Sequence, residues 1–187
     1  ENTIIGASAA GGDYEIEQSL RFDDGRGSYL SWTPASAGNR KTWTWSGWVK
    51  RGNIPASRIA LFEAYTSGTE FTQFIFQFTH ELYLYTTSGG VDYSYETTAV
   101  LRDPSAWYHI VVQCDTTLAT QADRFIVYLN GERQANTNEY GALPLNLDLH
   151  INSAISHKIG KATDVGVYLD GYLGEVNFID GQALTPD

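Results

Sequence analysis

The sequence has no methionine and a single cysteine, Cys114. One cysteine excludes an internal disulfide, so the chain must be held together by its core. Without methionine, Glu1 is not expected to be a native start, and a processed chain or an excerpt from a longer protein is expected. No segment reads as a secretory leader, and no apolar run approaches the roughly 18 residues of a membrane helix. Asn-x-Ser/Thr sequons are missing too. Basic residues are scarce, 12 against 22 acidic ones, for a net charge of −10. Phosphate backbones and anionic lipid surfaces are gripped by clustered Lys and Arg, so neither nucleic acid nor membrane insertion is expected.

What is abundant points to strands. Aromatic residues make up 13% of the chain, with 12 Tyr, 8 Phe and 5 Trp, and there are 18 Gly. Val, Ile, Thr and Tyr favour extended backbone, and Gly favours tight turns. From Ser19 onward, short apolar-alternating segments are broken by Gly, Pro, Asn, Asp and Ser, and no long segment holds a helical period. About a dozen short strands punctuated in this way predict an all-β, antiparallel two-sheet sandwich. Residues 1–18 read as a linker or loosely held segment and residues 19–187 as one sandwich domain. The acidic stretch Asp13–Gln18 fits either a helical turn or a strand.

Alternation assigns faces. In FTQFIFQF, Phe74, Phe76 and Phe78 point one way and Gln73, Ile75 and Gln77 the other. In WYHIVVQCD, Ile110, Val112 and Cys114 share the apolar side, opposite His109. That parity makes Cys114 a buried, inert thiol. In WTWSGWVKR, Trp43, Trp45 and Val49 are expected in the core and Trp48 on the opposite face. Asn130-Gly131 is a strong hairpin signal, because both residues tolerate positive φ.

Taken in order, SLRFDDGRGSYLSW, WTWSGWVKR, DPSAWYHIVVQCD, DRFIVYLNGER, HKIG and DGYLGEVNFIDGQALTPD resemble the laminin G-like, concanavalin A-like domain. The middle RDPSAWYHIVV and the closing GYLGEVNFIDGQALTPD resemble versions found in bacteriophage and marine viral structural proteins. The resemblance implies a jelly roll of two curved sheets that binds glycans or proteins, often with a calcium ion at its rim. It also implies a virion-surface or extracellular setting. The expected partners are a glycan or host cell-surface receptor and other virion proteins, and a homo-oligomer is compatible. The function expected is host attachment or virion decoration. The alternatives are a purely structural assembly module and, since some relatives are hydrolases, a glycosidase.

Catalysis finds little support in the residues. Glycoside hydrolysis needs two carboxyls about 5–10 Å apart, and residues i and i+2 on a strand share a face about 7 Å apart. Neither Glu-x-Asp nor Glu-x-Asp-x-x-Glu occurs. The G-x-S-x-G nucleophile motif and phosphate loops are missing, and the four His show no zinc spacing. No catalytic residue is assigned. For calcium, Asp23 and Asp24 in RFDDGRG are the candidate ligands, with Asp-Asp-Gly turn chemistry as the competing reading.

ELYLYTTSGGVDYSYE places Tyr83 and Tyr85 before a Ser-Gly-Gly turn, with Tyr93 and Tyr95 after it. A hairpin centred on Gly89 pairs Tyr83 with Tyr95 and Tyr85 with Tyr93, so that all four share a face. That face is either a ladder against the second sheet or an exposed platform for sugar rings, with Trp48 as a further contact. A one-residue slip in register breaks the set.

Overall fold

Alternation of apolar and polar residues produces strands throughout. A computed structural model of the chain describes residues 16–137 and 140–186. The strands are β1 (Leu20–Phe22), β2 (Leu30–Trp32), β3 (Thr42–Arg51), β4 (Ile59–Ser67), β5 (Glu70–Phe76), β6 (Glu81–Ser88) and β7 (Val91–Val100). They continue as β8 (Tyr108–Asp115), β9 (Phe125–Leu129), β10 (Glu132–Arg133), β11 (His157–Ile159), β12 (Lys161–Ala162), β13 (Val167–Tyr168) and β14 (Gly171–Asp180). One sheet runs β1-β14-β3-β8-β9-β10, the other β2-β11-β4-β5-β6-β7, and β12 pairs only with β13. All named pairings are antiparallel. The fold is the expected two-sheet antiparallel jelly-roll sandwich.

Between the sheets, Trp43, Trp45 and Val49 of β3 and Ile110, Val112 and Cys114 of β8 meet Phe62, Phe74, Phe76, Leu82 and Leu84 from the facing sheet. Trp45 meets Phe74 edge-on at 5.8 Å and lies 6.2 Å from Phe62. Full burial of each such side chain contributes on the order of 1.5–3 kcal/mol. The Cys114 thiol is buried, which pushes its pKa up and leaves it inert, as its parity implied. Phe78 departs from expectation. β5 ends at Phe76, the backbone turns through His80 at φ 84°, and Phe78 is exposed.

Both sheets carry cover on their outer faces. On the first, Gly174 lets Ile16 approach, since a Cβ there would lie 3.3 Å from Ile16 Cγ2. Thr44 Oγ1 donates to the Gln182 carbonyl and accepts from the Leu184 amide, both at 2.8 Å, strapping residues 182–184 across that face. On the second, the β12–β13 hairpin lies over Ala60, Ile75 and Tyr83 and makes a small second core with Ala162. Asp13–Glu15 of the acidic stretch lie outside the described residues. Ile16, from the same stretch, is buried.

Candidate functional site

The tyrosine hairpin turns one half-step away from the expected register. Gly89 and Gly90 take φ of 59° and 76°, the left-handed conformation of a two-residue primed turn that glycine adopts without strain. The hairpin therefore pivots between the two glycines, not on Gly89. Ser88 pairs with Val91, Tyr85 with Ser94, Leu84 with Tyr95 and Tyr83 with Glu96. This corrects the four-ring face. Tyr83 and Tyr85 point outward with Ser94 and Glu96, while Tyr93 and Tyr95 point inward with Leu84 and Thr86. The same half-step lets Asp92, Ser94 and Glu96 escape the core.

The five aromatic candidates accordingly separate. Tyr83 is only 2% exposed, sealed under the β12–β13 hairpin and stacked on Tyr85 at 5.6 Å. Tyr85 is half-buried and lies 5.8 Å from Tyr140. Burial pushes its hydroxyl pKa up to about 12, with Thr87 and Asp92 within hydrogen-bonding reach. Tyr93 packs against the main core. Tyr95 is buried, and its hydroxyl donates to the Gln134 carbonyl at 2.6 Å. Trp48 sits on the outer face of the other sheet, half-buried and stacked on His109 at 4.9 Å. Desolvation lowers the His109 pKa, so its ring is a neutral stacking partner.

Asp23 and Asp24 serve the turn. Asp23 caps the 3-10 turn Asp24–Arg26, accepting from the Arg26 amide at 3.2 Å and pairing with its guanidinium at 3.5 Å. Among the described residues no group of three or more His, Cys, Asp or Glu side chains gathers as a metal site. Calcium takes six to eight oxygens; of the two candidate carboxylates, that of Asp23 is turned to Arg26.

The open site lies at the edge of the second sheet. There residues 134–137 and 140–143 lie alongside β7. Thr97 bridges Asn136, and Tyr93 bridges Gly141. The Thr137 amide donates to the Glu96 carbonyl at 2.9 Å, and Tyr140 N donates to Ser94 Oγ at 3.1 Å. Between this segment, the β9–β10 hairpin and the 3-10 turn Gln121–Asp123 opens a cleft of about 440 Å³. That volume falls within the roughly 300–1,000 Å³ of small-molecule sites. Tyr95 and Phe125 form its apolar wall, their rings edge to face at 6.2 Å. Ser94, Gln121, Arg133 and Asn136 supply polar groups. Tyr140 is exposed; its backbone amide holds Ser94, one of the lining residues, and its ring lies against Tyr85.

Of the sequence candidates, then, Tyr95 lines the cleft, Tyr85 meets Tyr140 outside it, and Tyr83, Tyr93, Trp48, Asp23 and Asp24 do not line it. The residues missed were Gln121, Phe125, Arg133, Asn136 and Tyr140. For Arg133, Asn136 and Tyr140 the one sequence signal was the polar run after Asn130-Gly131, which carries no strand pattern of its own; Gln121 and Phe125 precede that turn and gave no signal of a site.

Of the acidic groups on the outer face of the second sheet, Glu63 is closed, whereas Asp164 is exposed. Glu63 is wholly buried, with Lys158 Nζ donating to its Oε1 at 2.9 Å and Thr163 bonding both its oxygens. Asp164 stands near it with its pKa raised by burial and by the charges of Glu63 and Asp92. A carboxylate committed in this way offers nothing to a glycosidic oxygen. Among the described residues no helix is long and apolar enough to cross a membrane.

Residues 24–187 match the family profile described as the concanavalin A-like lectin/glucanases superfamily. The chain belongs to that superfamily. Comparison with curated proteins returned no match. Among solved structures, laminin α1 domains LG4-5 from mouse superpose with a TM-score of 0.65 at 13% identity, covering 98% of this chain and 47% of that one. This concanavalin A-like chain thus spans about half the length of that laminin structure. Domain 4 of the Geobacillus stearothermophilus arabinanase AbnA, in complex with arabinotriose, superposes at 0.54 with 18% identity, covering 90% of this chain and 68% of that one. The CBM40 of the Ruminococcus gnavus IT-sialidase, bound to α2,3 sialyllactose, does so at 0.55 with 9% identity, covering 91% and 93%. At these identities the likeness concerns the fold.

Proposed function

We propose that this domain is a non-catalytic carbohydrate-binding module whose site is the cleft between β7 and the β9–β10 hairpin. The observation that carries the reading is the make-up of the cleft: an aromatic wall of Tyr95 and Phe125 beside amide and hydroxyl groups, with the exposed Tyr140 joined to the lining residue Ser94 through its backbone amide. Sugars present C–H faces to rings and hydroxyls to polar groups, and both kinds of partner are here. Superfamily membership and the glycans bound by two of the structural neighbours support the same reading. The non-catalytic part of the reading draws its support from the sequence, which lacks Glu-x-Asp and Glu-x-Asp-x-x-Glu, and from the binding module CBM40 among the structural neighbours. The setting we propose is the surface of a virion, where the module would attach to a host glycan or receptor and repetition would supply avidity; the support is the likeness of the closing strand to viral structural domains.

A second reading, an assembly module, draws on edge strand β2. It carries no charged residue, and it leaves Leu30 and Trp32 exposed, Trp32 by 60%. A glycan array followed by calorimetry separates the two. The carbohydrate reading expects binding that Tyr140→Ala and Gln121→Ala each weaken at least about tenfold, about 1.4 kcal/mol. An array without signal, with chains that associate through β2, would replace it by the assembly reading.

A further inference from the structure

We propose that the cleft selects neutral glycans over acidic ones and that the Asp123–Arg133 pair sets this preference. The inference rests on the carbohydrate-binding reading and specifies its ligand class. Arg133 is the one Lys or Arg among the described residues lining the cleft. It is already engaged, because its Nη2 donates to Asp123 Oδ1 at 2.9 Å and to the Ala122 carbonyl at 3.2 Å. Asp123 does not line the cleft but holds Arg133 from the 3-10 turn beside it. A ligand carboxylate approaching this guanidinium would meet Asp123 on the same cation, and like charges at close range repel.

The other polar groups lining the cleft are of a different kind. Ser94, Gln121, Gln134 and Asn136 carry hydroxyl or carboxamide groups, each able to donate and to accept. That two-way capacity matches sugar hydroxyls, whereas a carboxylate only accepts and leaves the carboxamide oxygens facing its charge. The net charge of −10 adds a long-range bias in the same direction. Asp123 is in this sense a positioning residue. It acts on specificity through Arg133 and without touching the ligand.

The test pairs neutral oligosaccharides with counterparts ending in a uronic or sialic acid and measures each by calorimetry on the whole chain. Wild-type protein is expected to bind the neutral member of a pair at least about tenfold more tightly, a difference of about 1.4 kcal/mol. Asp123→Asn keeps the shape of the side chain and frees Arg133. It should narrow the gap by raising acidic-glycan affinity, while Asp123→Asn combined with Arg133→Gln should lose that gain. Acidic members that bind wild type as tightly as neutral ones, or a ratio that Asp123→Asn leaves unmoved, would overturn the selectivity. If no member of any pair binds, the carbohydrate reading itself fails, an outcome separate from binding with the wrong preference.

Discussion

Replacing Tyr83 with alanine should damage the fold and not the ligand contact. The ring is 2% exposed, stacks on Tyr85 at 5.6 Å and is covered by Ala162 and the rest of the β12–β13 hairpin. Truncating a buried aromatic ring costs about 3–5 kcal/mol, of which the ring–ring geometry accounts for about 0.5–1.5 kcal/mol. The short hairpin above it can settle into part of the space, which favours the low end, about 3 kcal/mol. For a chain of this length each kcal/mol lowers the melting temperature by about 2–4 °C, so the expected fall is about 6–12 °C. Urea denaturation would report the same loss as a lower midpoint at unchanged slope. Tyr140→Ala supplies the contrast. It removes an exposed ring, so stability should move by less than about 0.5 kcal/mol while glycan binding weakens. The half-step register would be refuted by a Tyr83→Ala protein that melts within about 2 °C of wild type yet loses its ligand.

Two other perturbations follow from buried charge and from histidine. Lys158→Met leaves the fully buried Glu63 without its cation 2.9 Å away and should cost about 3–5 kcal/mol, most of it regained when Glu63→Gln is added; a cost below about 1 kcal/mol would mean that the pair is solvated. His80, His109, His150 and His157 all have pKa values held below 6.5, desolvation being the first cause each time. The unfolded chain therefore takes up protons near pH 6.5 that the folded one refuses, so stability should be greater at pH 7.5 than at pH 5.5 and fall as pH drops through that window. Denaturant midpoints identical at the two pH values would contradict the burial of these rings.

Strands were legible in the sequence because alternation is a local property that burial of one face imposes. Trp43, Trp45, Ile110 and Val112 all lie where their parity placed them. The two-residue strands β10 and β12 were not legible, since they are too short to show a period. Pairing register was a harder matter. Ser-Gly-Gly admits a pivot on Gly89 or between Gly89 and Gly90, and only backbone geometry distinguishes them. The choice moves Tyr93 and Tyr95 to the opposite face of the sheet. Asp23 reads equally well as a calcium ligand or a turn cap until its amide partner is known. The cleft was the least legible feature. Its residues come from β7, β9, β10, a 3-10 turn and an irregular segment, and no short-range pattern joins pieces that meet only through tertiary packing.

Most of the cleft is built outside the sandwich interior. Gln121, Ala122, Arg133, Ala135 and Asn136 are exposed and belong to connections and a hairpin tip, while Tyr95, Phe125 and Leu143 anchor that cluster to the core. On the proposed reading, recognition is thus a detachable fitting on a rigid chassis. The peripheral residues could be exchanged at small thermodynamic penalty, and a graft of this loop cluster onto another jelly roll would need those three anchors to seat it.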